Sequence, residues 1–290
     1  MATMRGLVDD KRAALRLGGR DARDWLQGLV SNDIHRLSRD NAVYAALLTP
    51  QGKYLFDFIL VEGADGAILL DVVADRAAAL TQRLAMYRLR RDVTITDVSG
   101  QTQVALVWSG QTGGGQTGGA RPSAPGALVV ADPRDAALGW RVYAQDAAEA
   151  LALAGAETAP RDAYDALRVA VGAPESGVEL IPDDSYILEA GFERLNGVDF
   201  RKGCYVGQEV TARMRHKTDL RKGLVRVRVE GAPPPPGTPV TTADGKPAGA
   251  LFTVIGGAGL AHLRFDRAAG PLRAGDARVI APGMTAATGP

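Results

Sequence analysis

Residues 202–209 read Lys202-Gly203-Cys204-Tyr205-Val206-Gly207-Gln208-Glu209 and hold the chain's one cysteine. Gly203 and Gly207 let the backbone turn sharply and let another group approach the thiol. Arg201 and Lys202 set positive charge beside it, which favours thiolate over thiol. Val206–Met214 has helix-compatible spacing, so Cys204 stands near an expected helix N-terminus whose dipole acts in the same sense. Two readings stand at this point. One is a reactive thiol; the other is a buried structural cysteine, free cysteine being among the most buried residue types.

Outward from this stretch the chain divides in two. On the N-terminal side, Ala22–Ile34 reads as a helix with Asp21 as its cap, and Asp75–Arg91 as a second helix capped by Asp75. Strands are expected at Asn41–Leu48, Tyr54–Val61, Ala67–Val73, Val93–Asp97, Val104–Trp108, Ala127–Ala131 and Trp140–Ala144. The first two join through the turn Thr49-Pro50-Gln51-Gly52. Further helices are expected at Asp146–Leu153 and Arg161–Val171. Ser109–Gly126 is rich in Gly, Thr, Gln and Pro. It lacks the Lys-Ser/Thr and the glycine spacing of a phosphate loop, so a flexible surface loop is expected there. On the C-terminal side, short strands at Leu224–Val229, Val240–Thr242, Gly249–Val254, Gly259–Phe265 and Ala277–Ile280 are divided by Gly, Pro and Asp turns. Such spacing predicts a small antiparallel barrel. The expected division is an α+β body over 1–215, with one subdomain at about 40–145, and a barrel over 216–290.

Composition removes whole classes of function. The chain has 290 residues, with 34 Lys+Arg against 33 Asp+Glu. That balance excludes a polybasic nucleic-acid coat and an acidic tail protein. No apolar run approaches the roughly 18–20 residues of a membrane span. No signal peptide or typical transit peptide is read at the N-terminus, so a cytoplasmic protein is expected. One cysteine forms no internal disulfide and does not supply the four thiolates that usually hold an iron–sulfur cluster. The three histidines, His35, His216 and His262, show no zinc-ligand spacing. No stably bound metal is expected. His35 reads as a cap or surface residue and His262 as structural. His216 lies in a basic patch that suits a folded surface or an anion site.

The stretch 202–209 resembles the signature of the YgfZ-type family. That family is the folate-binding, iron–sulfur-maintenance branch of the superfamily of the glycine-cleavage T-protein, an aminomethyltransferase. Other stretches agree in order: Trp25-Leu26-Gln27-Gly28-Leu29-Val30-Ser31-Asn32-Asp33-Ile34, Tyr44–Phe58, Leu84-Ala85-Met86-Tyr87-Arg88-Leu89-Arg90 and Leu195-Asn196-Gly197-Val198. The resemblance runs from about residue 15 to 217. It implies a three-lobed T-protein fold with ferredoxin-like α/β subdomains, a C-terminal antiparallel β-barrel and a central cavity for tetrahydrofolate. It also implies partners among iron–sulfur assembly or client proteins. A monomer is expected, without membrane or nucleic-acid partners.

The resemblance also assigns residues. Cys204 would be the key reactive thiol, with Lys202 lowering its pKa and Gln208 and Glu209 fixing its loop. Gly203, Tyr205 and Gly207 complete the motif. Tyr44 falls where relatives place a folate-contacting tyrosine, and Tyr164 where an aromatic residue lines the folate site; core packing is the other reading of both. Asp57 lies close to the relatives' catalytic aspartate, although the pattern there is Asp-Asp and here it is Phe56-Asp57. A solvent-facing Asp57 is the alternative. Glu189 is a further acid near the signature, or a solvated helix residue. With Gln208 and Glu209, these complete the expected folate contacts. Two departures weigh against aminomethyl transfer: Ala170 stands at a glutamate position of the T-protein pattern, and Leu138-Gly139-Trp140-Arg141-Val142-Tyr143, the nearest counterpart of an acid-bearing segment, has no acid. The expected role is therefore an accessory factor for iron–sulfur clusters, with a folate-dependent one-carbon transferase as the alternative.

Overall fold

The computed structural model describes residues 3–109, 120–217 and 220–282, with residue 217 described by its backbone only. Most of the Gly-rich segment expected as a surface loop lies outside these residues. Among the described residues no helix is long and apolar enough to cross a membrane.

The chain opens with β1 (Met4–Val8) and β2 (Arg12–Gly18), then α1 (Ala22–Gln27). Next come β3 (Val43–Leu48), β4 (Tyr54–Glu62), β5 (Ile68–Val73), α2 (Ala74–Arg88) and β6 (Thr94–Asp97). They are followed by β7 (Gln103–Ser109), β8 (Leu128–Ala131), β9 (Trp140–Ala144), α3 (Ala147–Leu153), β10 (Glu157–Thr158) and α4 (Arg161–Val171). After a long turn-rich segment comes α5 (Gln208–Lys217). The last strands are β11 (Lys222–Glu230), β12 (Thr238–Thr242), β13 (Pro247–Ile255), β14 (Ala258–Arg264), β15 (Leu272–Ala274) and β16 (Ala277–Ile280).

These strands build two five-stranded sheets, β3-β4-β5-β2-β6 and β10-β1-β7-β9-β8, and a closed barrel, β11-β14-β13-β12-β15-β16. The α+β architecture with a C-terminal barrel is thus as expected. The two strands at the N-terminus, which escaped the sequence reading, each enter a different sheet. Both lie between neighbours, β2 with Ala14, Leu15 and Leu17 buried. A strand covered on both faces lacks the alternation that marks a half-buried one. The segment 40–145, expected as one subdomain, is corrected: β3–β6 belong to one sheet and β7–β9 to the other. The expected boundary at 215 is also corrected. It falls inside α5, which has no helix breaker there, and the barrel begins at Lys222.

The helix expected over 22–34 stops at Gln27, and Asp21 does not cap it. The Asp21 carboxylate instead accepts from the Asp92 amide at 2.9 Å. The residue at the cap position of α2 is Val73, which leaves Asp75 inside the first turn.

A core of aromatic and aliphatic side chains gathers Tyr44, Tyr54, Trp108, Tyr143, Tyr164, Phe192 and Tyr205 together with Leu7 of β1 and Ile59 of β4. It draws on both sheets and on the segment before α5. Trp25, Leu26, Leu80 and Leu84 fix α1 and α2 against the first sheet. The barrel has its own interior around Val240, Leu251 and Leu263. Arg168 of α4 ties barrel to body, donating to Glu179 at 3.0 Å and to Thr253 of β13 at 2.9 Å.

Candidate functional site

The 202–209 stretch forms the loop that leads into α5. Gly207 has φ +83, and a Cβ added there would stand 2.5 Å from the Thr49 carbonyl. A Cβ on Gly52 would in turn stand 2.8 Å from the Val210 Cβ. The start of α5 therefore sits against the β3–β4 turn at a distance only glycines permit. Upstream, Ser31 donates to the Gly197 carbonyl at 2.6 Å, while Asn32 donates to the carbonyls of Tyr44 (2.7 Å) and Asn196 (2.6 Å). These bonds anchor the chain before the loop, as the close approach of Gly207 and Gly52 anchors it after.

Between the anchors the side chains diverge. Cys204 is exposed, which removes the buried structural reading. Tyr205 points inward and is buried, and its hydroxyl has no hydrogen-bond partner. Burial pushes that phenol up to about 12. The Lys202 ammonium donates to the carbonyls of Gln27 and, at 2.8 Å, Val30, and lies 4.9 Å from the centre of the Tyr205 ring. Burial lowers its pKa to about 8; Asp33 and Asp199 act in the opposite sense. Gln208 accepts from the Tyr205 amide at 3.3 Å, closing its own turn. Glu209 is exposed on α5 and pairs with Arg213 at 2.8 Å.

Tyr44, Asp57 and Tyr164 lie in the core rather than at this loop. Tyr44 donates to Asp57 at 3.0 Å and stacks on Phe192, with ring centroids 4.8 Å apart. Tyr54, read from sequence only as the start of a strand, donates to the other Asp57 oxygen at 2.7 Å and lies 2.5 Å from the Ser176 hydroxyl. Burial, then the charge of Asp57, holds both phenols well above their ordinary range. Asp57 is 5% exposed, so its solvent-facing reading is corrected. Tyr164 accepts from Arg134 at 3.2 Å.

Arg134 belongs to a buried ionic chain that the sequence reading missed. Asp132 takes Arg134 at 2.8 Å and Arg141 at 3.0 Å; Asp71 takes Arg141 and Arg12, each at 2.5 Å, and Tyr143 at 2.9 Å. Burial alone would raise both carboxyls, but the arginines more than offset it and hold them below the usual carboxylate range. A signal was present. Asp71 within Ile68–Val73 and Arg141 within Trp140–Ala144 are charges inside apolar strands, and buried charges are paired.

Glu189 is engaged elsewhere, at the joint with the barrel, 3.4 Å from both Lys222 and His262. The expected folate contacts therefore do not converge. Tyr44 and Asp57 meet directly, and Tyr164 joins the ionic chain. Glu189, Gln208 and Glu209 have partners of their own. A cavity of about 620 Å³ opens beside Leu69, Arg121, Val129 and Tyr143, and none of the expected residues lines it.

Comparison with known proteins places this geometry. Residues 221–284 match the family model "CAF17, C-terminal beta-barrel domain". The crystal structure of the glycine cleavage system aminomethyltransferase T from Bartonella henselae superposes with a TM-score of 0.76 at 14% identity, covering 98% of this chain and 87% of that one. That likeness shows the T-protein fold. The mouse protein "Iron-sulfur cluster assembly factor IBA57, mitochondrial" is 36% identical over 282 residues, spanning 91% of this chain and 78% of its own length. Its human counterpart is 34% identical over 279 residues with the same coverage. The relatives thus carry the IBA57 name, where the motif suggested the YgfZ-type branch. They also correct the cytoplasmic expectation: the mouse, human and Neurospora crassa relatives are all named as mitochondrial. By identity and coverage, this chain belongs to the IBA57 family of iron–sulfur cluster assembly factors.

Proposed function

We propose that this protein is an accessory factor in iron–sulfur cluster assembly and that Cys204 is its working thiol. The observation that carries this reading is the placement of the sole cysteine. It is exposed on a loop whose neighbours on both sides are tied to the body, Lys202 by its bond to the Val30 carbonyl and Tyr205 by its burial in the core. One thiol is one ligand. A cluster that touches Cys204 takes its remaining ligands from the protein that delivers or receives it, so the cluster is cargo here. The test is complementation of a strain lacking the native gene, scored by a cluster-dependent enzyme. Cys204→Ala is expected to leave that enzyme inactive, and full rescue overturns the thiol role.

The tetrahydrofolate implied by the resemblance has suitable chemistry near Asp57: a carboxylate for an amino-pyrimidine edge, aromatic walls, and Arg134 for an anionic tail. As packed, the residues do not fit it. Both Asp57 oxygens are taken by Tyr44 and Tyr54, and Tyr164 is held by Arg134. A pterin needs one tyrosine to give up the carboxylate. The same closure leaves the one-carbon transferase alternative without a free acid. Calorimetric titration with tetrahydrofolate decides the matter. Absence of saturable heat makes the Asp57 cluster structural; stoichiometric binding shows that the cluster opens.

A further inference from the structure

We propose that Lys202 and Gln27 are positioning residues for Cys204, together forming a latch that clamps the thiol's loop onto the C-terminal end of α1. The inference rests on the thiol role proposed above and adds the means by which the thiol is held in place.

The two residues exchange bonds across 175 positions of sequence. The Lys202 ammonium donates to the Gln27 backbone carbonyl, and the Gln27 side-chain amide donates to the Lys202 backbone carbonyl at 3.3 Å. Each side chain thus holds the other's main chain. A helix end leaves carbonyls without partners and carries the negative end of the dipole. An ammonium with three donors suits that place, and Lys202 takes the Val30 carbonyl as well. Gln27 is itself fixed. Its amide also donates to Asp33 at 3.0 Å, and its oxygen accepts from the Ile34 amide at 2.8 Å. The carboxylates that face Lys202 are Asp33 and Asp199, with the Cys204 side chain nearby, and Asp199 is paired with Arg36 at 2.9 Å.

The loop is consequently pinned at Lys202 by the latch and at Tyr205 by its burial and the Gln208 bond. Cys204 lies between the pins. Gly203, at φ +95 with open space around it, supplies the turn. A thiol that ligates a group shared with another protein gains when its position is set before the partner arrives, because less ordering remains to be done on binding. This assigns Lys202 a geometric role beyond its charge. It also assigns one to Gln27, a residue far from the motif in sequence.

The single cysteine allows a nitroxide to be attached at Cys204 alone, and its electron paramagnetic resonance line shape reports nanosecond motion of the loop. Lys202→Met and Gln27→Ala are each expected to shorten the label's correlation time at least about threefold, with the thermal midpoint and far-UV spectrum retained. The double variant should be more mobile than either single one, because each single variant leaves the other side chain's bond to the main chain in place. Glu193→Gln, paired with Arg215 of α5 and outside the latch, should leave the line shape unchanged. An unchanged line shape in either single variant, or a double variant no more mobile than the wild type, overturns the proposal. If Lys202→Met does not fold, Gln27→Ala alone decides by the same line shape. Full rescue by Cys204→Ala combined with mobile latch variants would instead sink the thiol role and leave the latch standing.

Discussion

Arg141 and Asp71 meet at 2.5 Å across the two sheets, Arg141 from β9 and Asp71 from β5, with neither side chain more than 3% exposed. Arg12 and Tyr143 complete the shell around Asp71, and Asp132 takes the other side of Arg141. Two buried sheets are thus joined by charge as well as by apolar packing. Removing one partner strands the other in low dielectric. Arg141→Met is expected to cost about 3–5 kcal/mol in urea denaturation, the range for a broken buried pair. A loss below about 1 kcal/mol would mean that water reaches the pair. The sign of the acid response follows from the lowered pKa values of Asp71 and Asp132. Their stabilisation is present above the ordinary carboxylate pKa and is lost as pH falls through the folded-state values.

Lys202 gives the opposite pH window. Its folded pKa is about 8 against an ordinary 10.5. Between those values the unfolded chain binds more protons than the folded one, so this residue's contribution to stability rises with pH. Below pH 8 the burial penalty is present in full. Unfolding midpoints of the wild type, taken relative to Lys202→Met, should therefore climb from about pH 8 to 10.5. A flat difference would show that the ammonium is hydrated in the folded protein.

Gly203 and Gly207 both have positive φ, but only Gly207 faces a wall. Gly203→Ala should cost about 1–2 kcal/mol, the strain of a left-handed residue in open space. Gly207→Ala carries that strain and also drives a Cβ onto the Thr49 carbonyl, so it should cost clearly more and loosen α5 from the β3–β4 turn. Amide exchange across 208–217 measures the loosening. Equal costs for the two variants would contradict the close approach.

Tyr205 carries a buried hydroxyl without a partner. A buried unpaired polar group is a penalty, and its removal lifts that penalty. Tyr205→Phe should accordingly be neutral or stabilising by up to about 1 kcal/mol, read by thermal or chemical unfolding. A loss of that size would instead reveal a hydrogen bond from Thr211.

Leu89 is 86% exposed with φ +45, a conformation that side chains beyond glycine rarely adopt. It closes α2 without burying its side chain. Leu89→Gly should raise the melting temperature or leave it unchanged, because backbone strain is relieved and no packing is lost. A lower melting temperature would show that Leu89 packs against something in solution.

Much of this protein was decided by sequence alone. Apolar spacing set α2, α4 and α5, turn chemistry set the β3–β4 hairpin, and short strands between Gly and Pro turns set the barrel, because these signals are local. The Lys202–Glu209 motif located the thiol for the same reason. What only the tertiary structure decided is which groups meet. The same aspartate type lies in strands at Asp57 and at Asp71, yet one is satisfied by two tyrosines and the other by two arginines and a tyrosine. Gln27 and Lys202 are far apart in the chain and were read singly, one within a helix and one as a charge beside a thiol. Their reciprocal bonds exist only after α1 ends at Gln27 and the motif loop folds back over its open carbonyls. Local periodicity records which face of an element is buried; it does not record the partner that buries it.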